Sequence, residues 1–212
     1  MKTSIYNFTK NYNNDIIHRL ANKLKNGSVG IFPTDTVYGI ACNAFNETSI
    51  NKLFKLKSRD HSKPINVLIS SLNMLDYLVE NITIQEKKLI DTFWPGPLTI
   101  IFNKKPTVSN ILTSNLNTVG IRMPNDKIAL SLIKNSNVPL ATTSVNISGH
   151  PPGTNINDFL HYFNDKVDFI IDNGETNIKH ASTVVQIINK KPIILRQGSI
   201  SEEEIYKTLN LI

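Results

Sequence analysis

The chain is poor in the residues that announce the commonest chemistries. It has 212 residues but only one cysteine, Cys42, so it can form no intramolecular disulfide and no cysteine-only metal site. No apolar run approaches the roughly 20 residues a membrane span needs. Residues 1–10 lack the apolar core of a secretory leader, so the expected compartment is the cytoplasm. There is no Gly-x-x-x-x-Gly-Lys-Ser/Thr phosphate loop, no Gly-x-Gly-x-x-Gly fingerprint and no Cys/His/Asp set at zinc spacing. Acidic residues are in deficit, 17 against 23 Lys and Arg, for a formal charge of +6 and a pI near 9.3. That balance favours polyanionic partners, nucleic acid or nucleotide phosphate, although a composition rich in Asn, Ile and Lys gives the same number without any such role.

What is present suits one α/β domain. Hydrophobic residues make up 40% of the chain, enough for one sizeable core. Ile16, Ile17, Leu20 and Leu24 have helical spacing, and Gly27 is placed to stop that helix. Residues 29–32 read as a buried strand, 49–57 as a helix and 65–69 as a short strand. Helices are expected over 72–78 and after Thr83, whose spacing to Glu86 is that of a capping box. Trp94-Pro95-Gly96-Pro97 must end that helix before a strand over 98–102. Further strands are expected at 119–122, 139–143, 169–171, 183–188 and 193–196, the last two pairing across Asn189-Lys190-Lys191. A helix is expected over 127–134. Ile156, Phe159, Leu160 and Phe163 form a helical stripe, and Ser201 with Glu204 caps a final helix. The pattern predicts a single domain over residues 1–212, core about 12–200, built on a twisted mixed β-sheet with flanking helices.

Several polar groups sit in apolar surroundings. Pro33-Thr34-Asp35-Thr36-Val37-Tyr38-Gly39 follows a strand, where open sheets place ligand groups, but Pro, Thr and Asp also make turns. Lys57-Ser58-Arg59 with Lys63-Pro64 suits a polyphosphate, or equally a basic helix end facing its macrodipole. Arg122 ends the apolar stretch Val119-Gly120-Ile121, a costly place for a cation without a carboxylate partner. Thr142-Thr143-Ser144-Val145-Asn146 leads into a Ser148-Gly149 turn. A Ser nucleophile there lacks both the Gly-x-Ser-x-Gly elbow and a histidine, since all five histidines lie in segments expected to be exposed. Ser182 precedes the strand at 183, and Arg196-Gln197-Gly198 closes the set.

Taken together and in this order, these segments resemble the YrdC/TsaC family, the threonylcarbamoyl-AMP synthases of tRNA modification. The resemblance runs from about Ser28 to Gly198 and is to the short, single-domain form. It implies a YrdC-like fold with a deep cleft, and a nucleotidyltransferase making threonylcarbamoyl-AMP and pyrophosphate from L-threonine, bicarbonate and ATP. It places Thr36, Arg122, Thr142 and Ser182 at threonine, and Lys57, Arg59, Lys63, Thr118, Ser144, Asn146 and Arg196 at ATP, with Lys57 and Arg59 as the catalytic cations. Mg2+ would ride mainly on the triphosphate, with no dedicated protein metal site. The product would pass to a separate tRNA threonylcarbamoyl transferase complex, and tRNA or RNA contact would be possible. Four positions depart from the family pattern: Asp60 and Gln197 stand for Pro, Leu68 for His, and Pro152 for Ser. Two other readings remain open at this point: a double-stranded RNA-binding module without catalysis, and a carbamoyl transferase acting on another acceptor.

Overall fold

Local capping signals set most of the element boundaries in the computed structural model, which describes residues 2–147 and 149–212. Ser148, in the turn expected after Asn146, lies outside the described residues. Strand β1 (Ser4–Asn7) precedes helix α1 (Asn14–Lys25), where Asn13 accepts from Ile16 N at 3.0 Å and Ile17, Leu20, Ala21 and Leu24 are buried. Gly27 follows at φ +95°, the left-handed turn expected of a helix stop. Next come β2 (Gly30–Phe32), β3 (Gly39–Asn43), α2 (Glu47–Leu56) and β4 (Asn66–Leu68). The helix expected over 72–78 is a 3-10 segment, Leu72–Tyr77. Thr83 and Glu86 form the reciprocal capping box of α3 (Ile84–Phe93).

The chain continues through β5 (Leu98–Asn103), α4 (Asn110–Thr113), β6 (Thr118–Arg122), α5 (Lys127–Ser136) and β7 (Leu140–Ser144). The expected helical stripe of 156–163 divides into a 3-10 turn, Ile156–Asp158, and a single turn, α6 (Leu160–Phe163). Side chains compete with the helix there: Asp158 accepts from the backbone of Thr154 and Asn155, and Asn155 from that of Asn157. Strand β8 (Phe169–Asp172) leads by a long loop to β9 (Thr183–Ile188), β10 (Lys191–Arg196) and α7 (Glu202–Thr208). Asn189 and Lys190, both at positive φ, make the two-residue hairpin turn between β9 and β10.

All ten strands join one mixed sheet in the order β1-β8-β2-β3-β7-β4-β6-β5-β9-β10. Pairs β1–β8, β2–β8, β4–β6 and β5–β9 are parallel, the others antiparallel. Helix α1 packs on α5 and β3, and α2 on β3 and α4, covering the sheet. The register decides where the site lies. Gly39 pairs with Ser144, Asn66 with Thr142, and Leu68 with Arg122. Paired residues share a face and alternate residues repeat it, so one face of four central strands presents these groups together. Glycines keep that face open: a Cβ on Gly39 would meet the Thr142 methyl at 2.9 Å, and one on Gly120 would strike Asn66 Oδ1.

Candidate active site

On that face the structure forms a cavity of about 150 Å³. Of the residues singled out in the sequence, Thr36, Arg59, Arg122, Thr142, Ser144, Ser182 and Arg196 line it. Lys57, Lys63, Thr118 and Asn146 do not. Thr118 is at the opposite end of β6 from Arg122, paired with Asn103, and the Lys63 side chain is exposed. Thr34, Asn66 and Thr99 also line the cavity. Sequence reading passed over the last two because each sits inside a strand, where a lone polar residue carries no signal until register reveals its neighbours.

Segment 33–38 folds on its own hydroxyls. Thr34 Oγ1 donates to Val37 O at 2.6 Å and accepts from Thr36 N at 3.2 Å, and the two hydroxyls are 3.0 Å apart. The loop from β8 to β9 crosses above it. Ile178 N donates to Asp35 O at 3.2 Å and Lys179 N to Thr36 O at 3.1 Å. Tyr38 pins the same loop, donating its hydroxyl to Gly174 O at 2.7 Å. Burial pushes that phenol up to about 12.

The partner that Arg122 requires is Asp35. The two form an ion pair in which each residue is only 6% exposed. Arg122 Nε also donates to Gly96 O at 3.0 Å and Nη1 to Thr36 Oγ1 at 2.8 Å. Burial pushes the guanidinium below its ordinary value and Asp35 opposes this; it remains a cation. Nearby, burial and the Asp35 charge raise the Asp126 carboxyl to about 6, even as it caps α5. Ser182 Oγ lies 2.8 Å from Thr99 Oγ1, and Arg196 grips Ser182 through both its carbonyl and its hydroxyl. The Thr142 hydroxyl donates inward, to Leu140 O at 3.1 Å.

The Lys-x-Arg element divides its labour. Lys57 is 2% exposed, and its ammonium donates to Thr143 Oγ1 at 3.3 Å, Asn146 Oδ1 at 2.8 Å and Ser144 O. Three acceptors use its three donors, so Lys57 holds the Ser144–Asn146 segment rather than reaching the cavity. Burial first, and the Arg59 charge second, lower its pKa to about 7. Arg59 does reach the cavity, braced by donating to Lys63 O at 3.0 Å and Pro64 O at 2.8 Å. Burial lowers its pKa, and so does the charge of Arg196, which acts on Arg122 as well. Asp60 tightens this loop by accepting from Ser62 N at 2.8 Å.

The cavity is therefore lined by three arginines, Arg59, Arg122 and Arg196, together with the hydroxyls of Thr36, Thr99, Thr142, Ser144 and Ser182. Comparison with known proteins fits this arrangement. The family model described as Telomere recombination, which groups Sua5, YciO and YrdC proteins, matches residues 22–198. The chain belongs to that family. It is 39% identical over 189 residues to the threonylcarbamoyl-AMP synthase of Pyrococcus abyssi, covering 89% of this chain and 56% of that protein. It is 36% identical to a putative threonylcarbamoyl-AMP synthase of Methanocaldococcus jannaschii, covering 92% of both. The chain thus spans a little over half the Pyrococcus relative and nearly all the Methanocaldococcus one. The crystal structure of Sua5 from P. abyssi complexed with L-threonine superposes with a TM-score of 0.94 at 37% identity, covering 97% of this chain and 61% of that one. Escherichia coli YciO shares the fold over 96% of this chain, with a TM-score of 0.86 at 19% identity. Among the described residues no helix is long and apolar enough to cross a membrane, and no three His, Cys, Asp or Glu side chains cluster as metal ligands.

Proposed function

We propose that this chain makes threonylcarbamoyl-AMP and pyrophosphate from L-threonine, bicarbonate and ATP. The observation that carries the reading is a single cavity lined by three arginines from separate elements, Arg122 of β6, Arg59 after α2 and Arg196 of β10. An amino-acid carboxylate suits Arg122, whose planar fork matches it bidentately. A nucleotide phosphate suits Arg59 and Arg196. The relatives named as synthases, and the threonine complex of the Pyrococcus protein, support the same reaction.

The threonine amine would add bicarbonate, losing water, to give a carbamate. A carbamate oxygen would then attack the ATP α-phosphorus and expel pyrophosphate. The protein's work would be to hold two mutually repelling anions in line and to place cations where phosphorus charge develops. Arg59 and Arg196 would have that role, with Ser144 as a hydrogen-bonding group of the cavity and Lys57 and Asn146 holding its segment in place. Mg2+ would neutralise triphosphate charge. The product would serve a separate transferase acting on adenosine beside the tRNA anticodon, in the cytoplasm. The deciding measurement is pyrophosphate release with ATP, Mg2+, bicarbonate and a panel of amino acids. Release should depend on both threonine and bicarbonate. Equal ATP cleavage without threonine sinks the reading.

A further inference from the structure

Asp35 belongs to no substrate-binding set so far assigned, yet it is a buried acid paired with a buried cation. It faces away from the cavity that Arg122 lines and borders a second hollow of about 340 Å³, walled by Phe93, Pro95, Pro97, Asn125 and Ile178. The Asp35–Arg122 pair is thus the partition between two cavities. One carboxylate oxygen is bound by Arg122; the other, Oδ2, is buried with no hydrogen-bond partner among the described residues. A buried ion pair adds little net stability over well-packed apolar neighbours, and an orphaned oxygen subtracts from what it adds. Stability alone therefore does not account for a charged group at this position.

The donor count on Arg122 supplies an account. A guanidinium has five N–H groups. Here Nε is used by Gly96 O, one hydrogen of Nη1 by Thr36 and one of Nη2 by Asp35. Two donors remain, one on each terminal nitrogen, which is the number a bidentate carboxylate takes. Without Asp35 nothing among the named partners would hold Nη2, and the fork could rotate about the other two bonds. Asp35 is itself tethered, through its carbonyl, to Ile178 N of the overlying loop.

We propose that Asp35 is the positioning residue of the amino-acid end: from behind the partition it fixes the rotation of Arg122, so that the two uncommitted donors meet the substrate carboxylate. This deepens the proposed function and rests on it. The test is steady-state pyrophosphate release by Asp35→Ala and Asp35→Asn, titrating threonine and ATP separately. Alanine removes the acceptor and should raise the KM for threonine about tenfold or more, with the KM for ATP held within about twofold. Asparagine keeps an acceptor of the same reach and should recover most of the loss. The inference is overturned if alanine leaves the threonine KM within about twofold, if both KM values rise together, or if asparagine is as damaging as alanine. Should the alanine variant not fold, Asp35→Glu keeps the charge and lengthens the reach by one methylene. It should still raise the threonine KM severalfold, and an unchanged KM overturns the proposal. A wild-type protein that fails to respond to threonine removes the proposed function and this inference with it. A responsive wild type with variants that fail these marks removes the inference alone.

Discussion

The arginines proposed for the two substrates are held by different means. Arg122, proposed for the amino acid, is interior: it comes from a central strand, is 6% exposed and has three protein partners. Arg59 and Arg196, proposed for the nucleotide, come from the periphery. Arg59 follows the C-terminus of α2 and is braced only by backbone carbonyls of its own loop, while Arg196 ends the edge strand β10 and is held by Ser182. A small, fixed substrate can be met by a group whose geometry folding has already set. A large, flexible triphosphate needs groups that can adjust. Folding and recognition are thus coupled at Arg122 and more nearly separable at Arg59.

The strongest way to break that comparison is Arg122→Ala. It would leave Asp35 charged, buried and without its partner, a change that typically costs about 3–5 kcal/mol. Urea unfolding should show a loss of that size, against less than about 1 kcal/mol for Arg59→Ala, whose side chain holds only nearby backbone. Equal losses in the two variants would mean that the ends are not built differently.

Next in size is nucleotide handling. Arg59→Ala and Arg196→Ala should each weaken ATP binding by about 1.5–3 kcal/mol, roughly 10- to 150-fold, the range for charge-assisted hydrogen bonds. Because both meet one ligand, the double variant should lose less than the sum. Arg196 also grips Ser182 at the threonine side, so its removal should raise the threonine KM while Arg59→Ala does not. If both singles bind ATP like the parent in calorimetry, the two arginines do not share a phosphate site.

Lys57 sharpens the comparison with pH. Its folded pKa, lowered chiefly by burial to about 7, lies below the 10.5 of an unhindered lysine. Between those values the unfolded chain holds a proton that the folded chain has released. Stability must therefore rise with pH across this window, and the cost of the buried charge is fully present below it. From pH 6.5 to 8.5 the parent should gain about 1–2 kcal/mol relative to Lys57→Met in urea unfolding. Parallel curves would show that the three hydrogen bonds keep Lys57 charged throughout.

The sequence made the α/β class, most elements and the capping boxes at Thr83 and Ser201 legible, because those signals are local, but not the third box at Asn155 and Asp158. It also required a carboxylate near Arg122 from desolvation cost alone, and Asp35 is there. What it could not give was register. That Asn66, Thr99 and Leu68 share a wall with Arg122 depends on which strand lies beside which, over separations that no periodicity encodes. Nor could it divide the basic cluster. Lys57 and Arg59 are two residues apart and look equivalent, but the end of α2 turns one inward to Ser144 and Asn146 and leaves the other at the cavity. Strands β1 and β3 are not legible in the sequence: β1 is only four residues of alternating exposure, and β3 is five buried residues, Gly39 to Asn43, with no alternation to mark them.

The smallest expected effect tests the rim of the nucleotide end. The resemblance to the family puts Lys63 at ATP, whereas its side chain is exposed and outside the cavity lining. What the structure uses is its backbone: Lys63 O accepts from Arg59 Nε at 3.0 Å, and Lys63 N closes the turn on Asp60 O at 3.0 Å. Lys63→Ala keeps both bonds, so Arg59 should stay in place. The remaining contribution is that of an exposed charge, below about 1 kcal/mol, or about fivefold at most in ATP affinity, and it should shrink as salt rises. Titrating ATP against Lys63→Ala at low and at physiological ionic strength separates the cases. A loss of tenfold or more that persists in salt would mean that the loop swings Lys63 onto the phosphates when nucleotide binds. The nucleotide end would then be assembled by its ligand, and the contrast with the preformed amino-acid end would be sharper than the cavity lining alone conveys.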